Sequence, residues 1–292
     1  MRSLLAALSA TCLLISCQPS APVSSTRANQ YNVEAPVAKL LPTTDPAPQT
    51  LSDTRPPTIS PKNLPTLTSA SLSRKTISGI QFEGVIFDSR TYKLSVVDQP
   101  DGPGSRYATS QDVASATSSL VAINAGFFTP EGAPLGLVIS SGNTSGAWNS
   151  ASSLGTGVYH ESSSGFPEIS RRTSRSAVSS SRELLQAGPL LVENNRRIGG
   201  LSSEKSAVRS ILLTDGSTRW WIGKTSSCTL SALGDALSSA SPASWKVKTA
   251  LNLDGGRSTD LYVSSGIPGG PINRRGFLNR PVRNFFILKK RQ

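Results

Sequence analysis

The chain has 292 residues, enough for one large domain or two small ones. With 37% hydrophobic and 16% charged residues, 24 Gly and 20 Pro, it is not a collagen, a coiled coil or a multi-span membrane protein. Thirty Lys and Arg against 18 Asp and Glu give a formal charge of +12, while one His and three Cys exclude a Cys/His zinc cluster, a Cys-ligated iron–sulfur cluster and a disulfide-stapled miniprotein.

Residues 1–17 read as a secretion signal: Arg2 is the positive start, and Leu4 to Ile15 form an apolar stretch too short to span a bilayer. Leu14-Ile15-Ser16-Cys17 resembles a bacterial lipobox. That resemblance implies lipidation of Cys17, a lipid anchor in a membrane and a place in the bacterial cell envelope, periplasmic or on the outer surface. Ordinary cleavage, for example after Ala21, is the alternative. With the lipobox, only Cys228 remains as a thiol, and it reads as a small buried residue rather than a nucleophile. Residues 18–75 hold 10 of the 20 Pro, 16 Ser or Thr and one aromatic, Tyr31. Such a segment cannot bury enough apolar surface to offset its ordering entropy, so it reads as a disordered tether. Its reach lies between roughly 40 Å as a coil and roughly 180 Å as polyproline.

Residues 76–292 make the folded domain, with 23 basic and 15 acidic residues, a charge of +8. This favours an anionic partner, such as a phosphorylated or anionic glycan. The basic groups Arg171, Arg172, Arg175 and Arg274, Arg275 lack the interleaved aromatics of a nucleic-acid platform, so no nucleic acid is expected. Oligomeric state is not legible.

Alternation predicts strands over 79–87 and 91–97. A helix is predicted over 109–119, capped by Thr109 or Ser110, with Asp112 in its first turn. Short buried strands follow at 120–123 and 135–140. Strands at 189–193 and 197–198 flank the Asn194-Asn195 turn, and 209–213 and 219–223 flank Asp215-Gly216. Leu230, Leu233 and Leu237 repeat at helical spacing after a Thr229 cap. A buried run at 249–253 and strands at 260–263 and 283–289 complete the domain. The expectation is an α+β domain around one mixed, twisted sheet with a few packed helices. His160, the only imidazole, sits in a Ser/Gly-rich stretch and reads as mobile and exposed.

Two segments share one pattern: a buried strand hands the chain to glycines just where a polar side chain emerges. The first is Val121-Ala122-Ile123-Asn124-Ala125-Gly126-Phe127-Phe128; the second is Leu251-Asn252-Leu253-Asp254-Gly255-Gly256-Arg257-Ser258-Thr259-Asp260. Strand ends of this kind host sites, and glycines let N–H groups turn toward an anion or a hydroxyl. Equally, Asn124 or Asp254 could merely bond its own turn.

Asn-Ala-Gly-Phe-Phe at 124–128, Ala-Gly-Pro-Leu-Leu at 187–191, Leu-Asn-Leu-Asp-Gly-Gly at 251–256 and Arg-Pro-Val-Arg-Asn at 280–284 occur in one order. Together they resemble the phosphodiester glycosidase family over about residues 80–289. Ala125, Arg257 and Thr259 depart from the usual family wording. The resemblance implies hydrolysis of a sugar-1-phosphodiester without a cofactor. In that reading Asp254 is nucleophile or base, and Asn124 and Arg209 complete the catalytic group. Arg257, Ser258, Thr259, Asn284, Gly126, Gly255 and Gly256 bind substrate. Glu131 is a candidate second carboxylate, although a Pro-Glu-Gly turn explains it more simply. Asp254 and Asp260 are hard oxygen donors, which leaves a metal an open question. The competing function is a non-catalytic binder of anionic envelope polysaccharide.

Overall fold

The structure, a computed structural model, describes residues 69–173, 178 and 180–292. The signal, Cys17 and the tether up to residue 68 lie outside the described residues. The chain enters on a hairpin of β1 (Ser71–Ile77) and β2 (Ile80–Asp88), turned at Ser78-Gly79 with φ of 49° and 78°. β1 lies within the stretch expected to be tether, so the folded domain starts near Ala70, which is buried. The reason is chemical. β1 is an edge strand whose Ser, Arg, Lys and Thr face solvent, so its composition matches that of a tether.

Next come β3 (Tyr92–Asp98), α1 (Ser110–Thr117) and β4 (Val121–Asn124). Helix α1 starts at a capping box: the Thr109 hydroxyl accepts from the Asp112 amide, and the Asp112 carboxylate accepts from the Thr109 amide. Five short strands follow, β5 (Val138–Ser140), β6 (Asn143–Ser145), β7 (Gly157–Glu161), β8 (Pro167–Arg171) and β9 (Leu184–Ala187). β10 (Leu190–Glu193) and β11 (Arg196–Arg197) turn through Asn194 and Asn195, both at positive φ. The hairpin of β12 (Ser210–Thr214) and β13 (Arg219–Thr225) leads to α2 (Leu230–Ser239), capped by the Thr229 hydroxyl. β14 (Thr249–Asn252), β15 (Asp260–Val263), β16 (Ile272–Arg275) and β17 (Asn284–Lys290) end the chain.

These strands form three sheets rather than one. Their orders are β1-β2-β13-β12-β14-β10-β11, β16-β15-β4-β17-β3 and β6-β5-β9-β7-β8. Every ladder between named strands is antiparallel, so the expected mixed sheet is corrected to three antiparallel ones. The α+β outline stands, with strands dominant and two α-helices among the described residues.

Period-two alternation divides the core. Leu212, Trp220 and Leu251 of the first sheet, Ile123, Phe286 and Leu288 of the second, and Tyr159 and Leu185 of the third share a central cluster. The opposite face of the first sheet, Ile211, Leu213 and Trp221, packs on Leu233 and Leu237 of α2. The opposite face of the second, Ala122, Phe285 and Ile287, packs on Val113 and Ala114 of α1. His160 is a buried residue of β7, paired with Leu184, and not a mobile imidazole; burial lowers its pKa. The third sheet's side chains also close the open edge of β3. Tyr159 Oη donates to the Leu94 carbonyl at 2.6 Å, Ser140 Oγ donates to the Val96 carbonyl at 2.8 Å, and Glu183 Oε2 accepts from the Val96 amide at 2.8 Å.

Burial pushes the Glu183 carboxyl from 4.5 up to about 7. A raised pKa means that the native state binds the proton more tightly than the unfolded chain. The associated stability is complete below about pH 4.5 and is lost as pH rises through about 7. Glu183→Gln keeps an acceptor for Val96 and cannot ionise. Thermal melts at pH 5 and pH 8 should therefore show the wild type losing ground to the variant at the higher pH. Equal shifts for both proteins would refute this role.

Candidate functional site

Antiparallel pairing brings the C-terminal ends of β4 and β14 together with the N-terminal ends of β12, β15 and β17. All the residues singled out from the two glycine-containing motifs therefore meet at one end of the domain. Asn124, fully buried, ends β4. Its Nδ2 donates to the Asp254 carbonyl at 2.6 Å, and its Oδ1 accepts from Ser210 Oγ at 2.7 Å and the Asp260 amide at 3.2 Å. The Asp254 amide in turn donates to the Ala125 carbonyl at 2.9 Å. Both side-chain polar atoms of Asn124 are thus committed to holding backbone and a neighbouring hydroxyl. It is a positioning residue, not a group that meets substrate.

Asp254 is half-buried where β14 gives way to a 3₁₀ turn over Gly256–Ser258. Its Oδ1 accepts from the Gly255 amide at 2.8 Å, and the Ser258 hydroxyl bonds the carboxylate. Burial outweighs both bonds and pushes its pKa from 3.8 up to about 6. Gly255 is needed for close approach, because a Cβ there would lie 2.7 Å from the Val208 carbonyl oxygen. Gly256 is needed for conformation, at φ +61°. Its amide donates to the Val208 carbonyl at 2.8 Å, and this seats the Arg209 stem beside Gly255.

The Arg209 guanidinium donates to the Cys228 carbonyl at 3.2 Å and the Lys205 carbonyl at 2.7 Å. It makes no ion pair among the described residues, and burial lowers its pKa without discharging it. Arg257 is exposed on the other side of the turn, where Nε donates to the Leu278 carbonyl at 3.0 Å. Asn284 is fully buried; its Oδ1 accepts from the Gly126 amide at 2.6 Å. Asn284 Nδ2, Thr259 Oγ1 and Asn252 Oδ1 are all buried without a partner among the described residues, so polar capacity is left over at this end of the sheets. Ala125 is not at positive φ, which explains why alanine is tolerated there.

Two candidates point elsewhere. Asp260 Oδ2 accepts from the Ser110 amide at 2.9 Å and from Arg275 Nη1 at 2.7 Å, which fixes α1 onto β15. Glu131 is exposed in the turn after Thr129. No group of three or more potential metal ligands gathers among the described residues. Arg283 was missed, although it lies within the 280–284 motif. It is buried, clamps Asp98 through two bonds of 2.9 Å and donates to the Gly132 carbonyl at 3.1 Å, so it braces the loops beside Asn284. Ser210 was also missed; nothing marks a strand-initial serine as a partner of Asn124. Cys228 is buried as expected.

The sequence pattern of the phosphodiester glycosidase family matches residues 117–289. No curated protein matches the chain. Among solved structures, a hypothetical protein from Synechocystis superposes with a TM-score of 0.56 at 18% identity, over 76% of this chain and 62% of that one. The catalytic domain of zebrafish N-acetylglucosamine-1-phosphodiester alpha-N-acetylglucosaminidase, auto-inhibited by its pro-peptide, superposes with a TM-score of 0.55 at 16% identity, over 78% and 85%. At these identities the structural likeness shows the fold alone.

Replacing Asn124 by Ala leaves Ser210 Oγ and the Asp260 amide buried without their acceptor, at a cost of about 2–4 kcal/mol. Urea unfolding of Asn124→Ala should show that loss. An unchanged midpoint would mean that Asn124 does not tie the sheets together.

Proposed function

We propose that the chain, which belongs to the phosphodiester glycosidase family, hydrolyses sugar-1-phosphodiester linkages in a cell-envelope or extracellular glycan. The observation that carries this reading is a half-buried carboxylate, Asp254, with its pKa moved to about 6, on a glycine turn that also seats the stem of Arg209, whose guanidinium has no carboxylate partner among the described residues.

The chemistry suits one carboxylate. An ordinary glycosidase needs a second carboxyl group because an alkoxide leaves poorly without a proton. A phosphomonoester leaving group, with a second pKa of about 6, needs charge stabilisation more than a proton. Asp254 in its ionised form acts as nucleophile or as base toward water. Arg209 and, from the rim, Arg257 balance the phosphate charge. Asn284, fully buried, holds the Gly126 amide in place, and Ser258 supplies a hydroxyl beside Asp254. The charge of +8 on residues 76–292 draws a phosphorylated or anionic glycan. Lipid on Cys17 and the Pro-rich segment would hold the domain at the envelope surface, within reach of such polymers.

Asp254→Asn should abolish release of sugar from a labelled sugar-1-phosphodiester. It should keep the Tm or raise it slightly at pH 7.5, because it removes a carboxylate that burial disfavours. Full activity would sink the assignment, and a large drop in Tm would make Asp254 a turn cap. Folded wild type that binds glycan in a salt-sensitive way without turnover would instead be a tethered binder.

Because the ionised form does the work, wild-type kcat should rise with pH through about 6 and level off above it. A profile flat between pH 5 and pH 7.5 would exclude Asp254 as the titrating group.

A further inference from the structure

A large cavity lies away from Asp254. It is a cleft of about 740 Å³ at the other end of the first sheet, lined also by β8, the edge strand of the third sheet. Thr214, which ends β12, and Thr249, which starts β14, line it; Ser210 and Asn252, at the far ends of the same two strands, face the Asp254 side. The separation along β12 is roughly 13 Å. The cleft and the candidate active site are therefore distinct places on one sheet.

The wall chemistry is consistent along the cleft. Arg90 lies 2.7 Å from the buried Asp88, and Arg171 lies 2.7 Å from Glu193, each through more than one bond. These pairs hold two guanidinium planes fixed and neutralised. Lys248 and Glu168 add one charge of each sign, so with Asp88 counted behind Arg90 these side chains balance. Hydroxyls come from both sides, including Ser170 and Thr218. Phe166 supplies a half-exposed ring, with Arg291 5.1 Å over its centre, and Trp220 forms part of the wall behind. Ser217 Oγ and Trp220 Nε1, both in the lining, are buried and have no hydrogen-bond partner among the described residues.

We propose that this cleft is a second, non-catalytic site that binds an uncharged saccharide segment. The volume is that of a small-molecule site. Fixed planar donors and acceptors suit hydroxyls that both give and accept hydrogen bonds, and the exposed Phe166 ring suits the C–H face of a sugar. An anion gains little here, because both arginines already carry carboxylates. The inference is independent of the reaction assigned to Asp254.

The test is calorimetric titration of the full chain with a panel of uncharged tetrasaccharides: maltotetraose, cellotetraose and N-acetylchitotetraose. Wild type should bind at least one. Ser217→Tyr, which fills the cleft, and Arg171→Ala, which removes one fixed guanidinium, should each weaken binding about tenfold or more. Both variants should keep the wild-type Tm and any sugar-1-phosphodiester turnover, and inorganic phosphate should not compete. Absence of binding by folded wild type to every member of the panel, or unchanged affinity in both variants, would overturn the proposal. So would binding that inorganic phosphate abolishes. Lack of turnover on a phosphodiester would bear on Asp254 alone and leave this result standing.

Discussion

The Asn124 side chain is the constraint on which the site depends. One buried amide reaches four elements: it ends β4, accepts from Ser210 at the start of β12 and from Asp260 at the start of β15, and donates to Asp254 beyond β14. Two of those strands belong to the first sheet and two to the second. The Asp254 amide donates to the Ala125 carbonyl there, and the register between the two sheets is set by this backbone bond together with side-chain bonds and the shared apolar cluster. A buried amide with every partner in place specifies one geometry, because any slip strands polar groups where water cannot reach them. Asp254 inherits its position from that requirement.

Charge pairing then decides which cations stay available. Arg283 and Arg275 both lie near the converging strand ends, but each is engaged by a carboxylate, Asp98 and Asp260 respectively. They work as braces. Arg209 differs because its partners are two carbonyls, which orient the guanidinium without cancelling its charge. The same distinction separates the two ends of the first sheet. At the Asp254 end Arg209 keeps its charge; in the cleft at the opposite end, Arg90 and Arg171 are both neutralised, while Arg291 behind Phe166 is held by the Ser89 and Gly165 carbonyls.

Much of this was legible in the sequence because its signals are local. The capping box of α1, the Asp215-Gly216 hairpin and the Leu repeat of α2 follow from contacts within a few residues, and each formed where expected. The two motifs were visible because a buried strand ending in glycine is a local pattern. Most of the third sheet was not legible. β7, β8 and β9 run among Ser and Gly, and their burial comes from Tyr159, Leu184 and Leu185 packing under distant strands. The same long-range packing buried His160, which its neighbours in sequence suggested was exposed. β1 was hidden for the opposite reason: an exposed edge strand and a tether favour the same polar residues.

The roles of single polar residues were the hardest to read, since a role depends on what the other end of the bond is. Asn124 and Asn284 look alike in sequence, each beside an apolar run. In the structure Asn124 has both Oδ1 and Nδ2 engaged, whereas Asn284 commits Oδ1 to the Gly126 amide and leaves Nδ2 buried with no partner among the described residues. Asp254 and Asp260 look alike too. Asp260 is held by an arginine and a helix amide, and Asp254 by one amide and one hydroxyl, with its pKa raised. Asn124 and Asp260 spend their bonds on joining separate elements, whereas Asp254 stays half-buried and bonded only within its own glycine turn. Spare capacity at the end of a rigid element is what a substrate can use, and it follows from the three-dimensional partner set rather than from residue type.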